Sequence, residues 1–367
     1  MRMVRIVGAA AVLAVSPLLK PSTPMSAQAR ASLPRVELRS APLLTLPGDV
    51  DSNSPAVWDR IGGRTTLFVM TSDAGRARRA WGRDLTTLGI ARQVAHDPHP
   101  GGGVWMESIV RDVDGTWYGY YHNEIAAEVC GRTDKVIPRI GAARSRDRGN
   151  TWEDLGIILE APPRSFACSS DNAYFVGGVG DFSVQLDAES RDLYFLYSLY
   201  LRTTMSQGIG IARLAWADRD APVGKITVWR NGAWLPGTPF RGGEPERWFY
   251  PAASPIFAAA ESWHDGDHVV DAFWGPSVHW NTHVRHYVML LNRARDVEWE
   301  QEGVYVSFAT SLDDPRGWSA PTRILKGGTW YPQVLGLDDG AGTDKTAGEW
   351  ARFFMLGESR HLIRFLP

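Results

Sequence analysis

"ESIVRDVDGTWYGYYHN", Glu107–Asn123, is the stretch on which the fold turns. A small residue opens a short apolar run, a polar turn containing Gly115 interrupts it, and a longer aromatic run follows. Aromatic and β-branched residues bounded by Asp, Gly and Asn, without helical periodicity, read as the two strands of a hairpin. The same unit recurs along the chain. "SPAVWDRIGGRTTLFVMTS" begins at Ser54, "FSVQLDAESRDLYFLYS" at Phe182 and "PSVHWNTHVRHYVMLLN" at Pro276, with a weaker copy, "PQVLGLDDGAGTDKTAGEWARFFMLG", at Pro332. With Pro55, Ser108, Ser183, Ser277 and Gln333 taken as equivalent, the spacings are 53, 75, 94 and 56 residues. Self-similarity at such a period, on loops of unequal length, marks a propeller or an array.

A second hairpin follows three of the units. "IGAARSRDRGNTWEDLGIIL" (Ile140–Leu159), "GIARLAWADRDAPVGKITVW" (Gly210–Trp229) and "VSFATSLDDPRGWSAPTRIL" (Val306–Leu325) each read as strand, acidic turn, strand. A blade needs four antiparallel strands, and two hairpins supply them. The expectation is an all-β chain folded as a five-bladed β-propeller, with "PRVELRSAPLLTL" (Pro34–Leu46) joining the terminal blade to close the ring. A six-bladed, sialidase-like propeller is the alternative, and the 94-residue interval is where another blade would lie.

Composition fits this plan and narrows the function. Sixteen Trp and 37 Gly suit sheets packed by large flat rings and joined by tight turns. The formal charge is −2 with no Lys/Arg block, which argues against nucleic acid and against an electrostatic membrane patch. Residues 1–29 read as a cleaved secretory signal: Arg2 and Arg5, an apolar run from Ile6 to about Leu19, then the small residues of Ser26-Ala27-Gln28-Ala29. The apolar run is short for a membrane anchor, the alternative reading. The expected product is a secreted or periplasmic monomer, residues 30–367, forming a single propeller domain without membrane contact. In an oxidising compartment Cys130 and Cys168 are expected to pair.

Three histidines crowd "DAFWGPSVHWNTHVRHYVMLLN" (Asp271–Asn292), but a hairpin does not bring His279, His283 and His286 onto one face as a helix would, so no metal site is assigned. His279, on the inner strand, is kept as a residue facing the axial funnel. Propellers bind ligands at one end of the channel, where inner strands begin, so the residues just before each inner strand matter most. They include Asp49, Asp51 and Asn53 in the first unit, Trp105 and Glu107 in the second, and Asp181 in the third. Trp274 stands there in the fourth, and Trp330 and Tyr331 in the fifth. Three carboxylates from three blades would converge on one axis, ringed by aromatic side chains. That is what hydrolysis of a glycosidic bond requires: one carboxylate activates water or attacks, another protonates the leaving oxygen, and neighbours hold their pKa values apart.

"SRDRGNTW" (Ser145–Trp152) fits the pattern S-x-D-x-G-x-T-W, and "SLDDPRGW" (Ser311–Trp318) is a looser copy. Such an Asp-box resembles those of sialidases and other sugar-active propellers, where it is structural. The arginine triad and Tyr/Glu pair of sialidases are not identifiable here. The arrangement as a whole resembles the five-bladed propeller glycoside hydrolases of families 43, 62 and 117. The resemblance implies Asp51 as general base and Asp181 as the group that orients and tunes. It also implies a Glu before Gly-Pro as acid, and there the match breaks, because Trp274 stands in "WGPSVHWN". Glu107 is the first substitute for the acid and His279 the second; Glu124 and Glu261 follow. Asn53, Trp105, Trp274, Trp280, Tyr331, His122 and Glu124 are the expected carbohydrate contacts. The resemblance also allows a divalent cation such as calcium on the axis. A non-catalytic carbohydrate-binding or surface-interaction propeller is the competing function.

Overall fold

The computed structural model describes residues 33–189, 191–240, 247–264 and 269–367. The expected secretory signal, residues 1–29, lies outside the described residues. Five antiparallel sheets follow one another along the chain. The first blade is Ala56–Ile61, Arg64–Asp73, Arg76–Gly82 and Arg92–Gln93. Gly103–Arg111, Trp117–Ala126, Val136–Ser145 and Thr151–Leu159 build the second, and Val179–Leu186, Asp192–Tyr200, Gln207–Ala215 and Thr227–Arg230 the third. Val269–Asn281, His286–Asp296, Gln301–Ala309 and Thr322–Lys326 form the fourth. The fifth takes Gln333–Gly336, Trp350–Met355 and Glu358–Leu366 from the end of the chain and Arg35–Thr45 from its beginning, paired Arg35 to Leu366 through Thr45 to Glu358. The ring thus closes as the sequence suggested. The 94-residue interval holds no sixth blade among the described residues; it carries a short ribbon, Thr238–Pro239 with Trp248–Phe249, and a strand Phe257–Ala258 that pairs with the third blade.

Both faces of a blade are covered by its neighbours, so its middle strands are buried almost throughout, as in "DLYFLYSLY" of the third blade. The apolar clusters lie between blades. Trp117 and Trp152 pack with Phe68 between the first and second, Tyr120 and Phe195 between the second and third, and Val288 and Phe365 between the fourth and fifth. At the turn Ser145–Trp152 the Asp147 carboxylate accepts from the amides of Asn150 (3.1 Å) and Thr151 (2.9 Å), Gly149 takes φ 75°, and the Trp152 ring closes over it.

The axis explains why three of the five repeats begin on serine. Apart from the short parallel pairing of Trp280 and Asn281 with Thr346 and Ala347, the inner strands have one edge without a sheet partner, and its amides and carbonyls must be satisfied there. Ser72 Oγ accepts from Met106 N (2.9 Å), Ser108 Oγ from Val184 N (3.1 Å) and Ser183 Oγ from Val278 N (3.1 Å). Ser277 Oγ then donates to Pro332 O (2.6 Å), and Gln333 Oε1 accepts from Ser54 N (2.6 Å). Ser108, Ser183, Ser277 and Gln333 on inner strands, with Ser72 on the second strand of the first blade, stitch the five blades into a ring.

Cys130 and Cys168 form a disulfide, with Cα atoms 5.1 Å apart. It ties the turn between the second blade's two middle strands to the loop leading into the third. Because the bond closes a loop of 38 residues, its loss is expected to cost roughly 3–4 kcal/mol of stability by chain entropy. Denaturant unfolding of the Cys130→Ser/Cys168→Ser double variant measures this; an unchanged midpoint would contradict it.

Candidate active site

All five blades contribute to a cavity of about 120 Å³ at the end of the channel where the inner strands begin. Asp51 comes from the first blade, Trp105, Glu107, His122 and Glu124 from the second, and Asp181 and Tyr200 from the third. The fourth supplies Trp274 and Trp299, and the fifth supplies Trp330 and Tyr331. Tyr174 and Phe175, from the loop that Cys168 anchors, complete the wall.

Local backbone irregularities aim the acids. The pairing of Gly103–Arg111 with its neighbour slips between Met106 and Ser108, leaving Glu107 as the extra residue; that of Val179–Leu186 slips between Gly180 and Phe182, leaving Asp181. A bulge re-aims the side chain that alternation would have sent elsewhere. Asp181 pays a conformational cost for this, at φ 41°, and its partner Tyr331 sits at φ 55°. Left-handed backbone in two side-chain-bearing residues persists only where surrounding bonds over-determine it. Here Tyr200 and Tyr331 both donate their hydroxyls to the Asp181 carboxylate, Tyr331 at 3.2 Å.

Glu107 is 1 % exposed, and its Oε2 accepts from the Phe182 amide at 2.6 Å. Its Oε1 lies 3.7 Å from His122 Nδ1, and Asp181 Oδ1 lies 3.8 Å from the same nitrogen. Two carboxylates so close in a dry site cannot both ionise cheaply. Burial first, and then the Asp181 charge, push Glu107 well above the usual carboxylate range. Burial raises Asp181 too, against the pull of His122 and its tyrosine bond. Burial followed by the charges of Asp181, Glu124 and Asp73 pushes Asp51 up to about 7. No side-chain hydrogen bond holds the Asp51 carboxylate among the described residues.

His122 feels opposing demands. Burial depresses its proton affinity, but the Glu124 hydrogen bond (3.1 Å) and the charges of Asp181, Glu124 and Glu107 outweigh that and raise it to about 9. Yet the Asp181 amide donates to Nδ1 at 3.0 Å, which needs a lone pair on that nitrogen. The amide bond favours the tautomer in which Nε2–H donates to Glu124 and Nδ1 accepts, and burial beside Asp181 raises the proton affinity of Glu107. Protonating His122 would cost the Asp181 amide its partner.

The structure brings Asp51, Glu107, Asp181, Trp105, Trp274, Tyr331, His122 and Glu124 together. It sets four expected residues apart. His279 lies five residues along its strand past Trp274, about 16 Å deeper at strand rise. It packs against Phe365 at 5.3 Å, and burial followed by the Lys345 charge lowers it to about 3, so it is neither near the cavity nor a proton donor there. Trp280 faces the space between blades, its ring 4.9 Å from Tyr287. Asn53 is a strut rather than a ligand contact, donating to Phe182 O (3.0 Å) and Pro276 O (3.2 Å) across the axis. Glu261 bridges to Asp271 and does not line the cavity. Trp274 replaces an acid with a wall: fully buried, it donates Nε1–H to Gln301 (3.1 Å) and meets Trp299 edge-on at 4.4 Å. Tyr200, Tyr174 and Trp299 were not foreseen. Tyr200 closes "RDLYFLYSLY" as His122 nearly closes "WYGYYHN", and that shared position at the ends of second strands was the available signal.

Glu107, His122 and Asp181 offer atoms within 4.8 Å of one another, the one grouping among the described residues suited to a cation. Calcium takes six to eight oxygen ligands, whereas this set has two carboxylates already engaged with donors and a nitrogen filled by an amide proton. One layer deeper the axis is occupied by the chain itself. Lys345 Nζ donates to Ser108 Oγ at 2.6 Å, lies 3.5 Å from Ser183 Oγ and pairs with Asp344 at 2.9 Å. The residues do not fit the axial calcium that the resemblance allowed.

No protein-family model matches the chain, and no curated protein matches it. Among solved structures it is similar to an endo-arabinase from Bacteroides thetaiotaomicron, at 11 % identity and TM-score 0.47 over 88 % of this chain and 96 % of that one. It is likewise similar to the catalytic domain of a family 62 α-L-arabinofuranosidase from Coprinopsis cinerea, at 10 % identity and TM-score 0.46 over 90 % and 96 %. A family 62 hydrolase solved with xylotriose matches at 11 % identity and TM-score 0.48 over 89 % and 96 %.

The raised Asp51 carboxyl makes a thermodynamic prediction. A group whose folded-state pKa exceeds its unfolded one stabilises the fold fully below the unfolded value, and that stability is lost as pH rises through the folded value, here about 7. Asp51→Asn is therefore expected to melt above wild type at about pH 8 and to lose the advantage toward about pH 4. An equal difference at both values in thermal unfolding would contradict the assignment.

Proposed function

We propose that this chain is an exported glycoside hydrolase acting on a neutral sugar residue of a poly- or oligosaccharide. The reading rests on the convergence of Asp51, Glu107 and Asp181, from three blades, in one aromatic-walled cavity. Glu107, kept protonated by burial beside Asp181, is suited to protonate the departing glycosidic oxygen. Asp51, the least enclosed of the three, is suited to activate water or attack. Asp181, fixed by Tyr200 and Tyr331, keeps the proton affinities of the other two high and apart. Trp105 and Trp330, half-buried in the wall, offer flat apolar faces on which sugar rings stack.

The charge of the cavity restricts the substrate. Among the described residues four carboxylates and one histidine line it, and no lysine or arginine does. A sugar bearing its own carboxylate would meet repulsion without a guanidinium to receive it. Sialic and uronic acid residues are thereby disfavoured at this mouth. The disulfide fits an oxidising compartment and so the exported location.

A second reading, a carbohydrate-binding propeller without turnover, draws on the near-complete enclosure of Glu107. Kinetics separate the two. Asp51→Asn and Glu107→Gln are each expected to lower kcat by about 10²–10⁴ on natural glycans, with binding retained. Glu107→Gln should spare aryl glycosides whose leaving group needs no proton. Wild-type protein that binds glycans but turns over none of a broad neutral panel would establish the binding reading. On the hydrolase reading, kcat/KM should fall toward acid with a midpoint near 7 as Asp51 is protonated. Asp181→Asn removes a charge that raises Asp51 and should move that limb to lower pH; a limb that stays in place would contradict the coupling.

A further inference from the structure

The opposite end of the propeller, where the inner strands finish, has the reverse charge. A cleft of about 670 Å³ there is lined by Arg60 from the first blade, Arg111, Arg144, Arg146 and Arg148 from the second, and Arg219 from the third. Only three carboxylates, Asp59, Asp114 and Asp220, share the lining. Some of these guanidinia are spoken for: Arg111 lies 3.3 Å from Asp59, Arg144 2.7 Å from Asp220 and 2.8 Å from Glu153, and Arg219 2.9 Å from Asp112. Arg60 and Arg146 are exposed, and their side chains make no hydrogen bond or close ion pair among the described residues, Arg146 acting on Asp114 only through its charge. A chain of net charge −2 has thus gathered an excess of arginine in one cleft, across three blades, at the end farthest from its acidic cavity.

Part of this comes from the motif singled out in the sequence. In "SRDRGNTW" the variable second and fourth positions are Arg146 and Arg148. The turn is rigid: Asp147 bonds its amides, and Arg79 donates to the carbonyls of Asp147 (3.2 Å) and Arg148. Arg148 is held at φ 60° and projects to within 3.7 Å of Asp59. A turn fixed this firmly presents its guanidinia at set spacing.

We infer that this cleft is a second binding site, for an acidic polysaccharide held through its carboxylate groups. Planar guanidinium forks match carboxylates in pairs, and arginine is weakly hydrated enough to exchange water for them. Tyr118 is the one aromatic residue in the lining, and its hydroxyl donates to Asp220 at 2.8 Å. There is no platform on which nucleic-acid bases would stack. The inference stands whether or not the acidic cavity at the other end is catalytic. If it is, the two ends divide the work, one holding an acidic matrix while the other meets neutral sugar.

The probe is polygalacturonate, with neutral dextran and a DNA duplex as controls, in affinity electrophoresis and calorimetry. Wild-type protein is expected to bind polygalacturonate at about 50 mM salt, to release it as salt approaches about 500 mM, and to ignore dextran at this cleft. Arg60→Ser/Arg146→Ser should bind about tenfold more weakly while melting as wild type does, because neither exposed side chain has a hydrogen bond or close ion pair to lose. Any turnover at the opposite cavity should be unchanged in the double variant. Absence of low-salt binding, undiminished binding by the double variant, or equal affinity for DNA would each overturn the inference.

Discussion

The inner strands of this propeller turn toward the axis an edge that is almost without sheet partners, and the arrangement of the axis follows from how that edge is satisfied. Ser108, Ser183, Ser277 and Gln333 on inner strands, with Ser72 on the first blade's second strand, each bond the backbone of an adjacent blade. The requirement is for a side chain short enough to fit at the crowded axis and able to hydrogen-bond there. It fixes the height of each inner strand relative to the next. Glu107 precedes Ser108, and Asp181 stands two residues before Ser183, so aligning the serines aligns the acids.

Alignment alone would leave two carboxylates competing in a space that excludes water. The site resolves this with donors. Two tyrosines serve Asp181, an amide and a proton serve Glu107, and His122 lies 3.7 and 3.8 Å from them with its free tautomer set by the Asp181 amide. The left-handed backbone at Asp181 and Tyr331 is the conformational cost of bringing these groups together. Below them the Lys345 ammonium stands between Ser108 and Ser183, placing a fixed positive charge on the axis.

Much of this was legible in the residues. A small residue before a short apolar run, repeated along the chain, gave the blades, and in the second, third and fourth that residue is the serine that makes the axial bond. Glu107, Asp181 and Asp51 followed from their places relative to it, and Pro34–Leu46 was free to close the ring. What lay hidden was depth and detour. His279 shares the inner strand with Trp274, but a strand runs the whole length of the channel, and five residues separate its mouth from its floor. Trp280 points away because alternation after the irregularity at Gly275–Pro276 sends it between blades. Tyr174 and Trp299 arrive on a long loop and a hairpin whose paths leave no periodic trace. Lys345 enters the axis from a turn in the fifth blade, and no local pattern announces a buried ammonium.

Three converging carboxylates share raised proton affinity here, and a carboxyl-resolved NMR titration reads this directly. With ¹³C-labelled Asp and Glu side chains, Glu107 should remain protonated at neutral pH and Asp51 should titrate near 7, each moving downward in Asp181→Asn. Titration of Asp51 and Glu107 in the ordinary range near 4, unaffected by Asp181, would show that the three acids do not share one dry site.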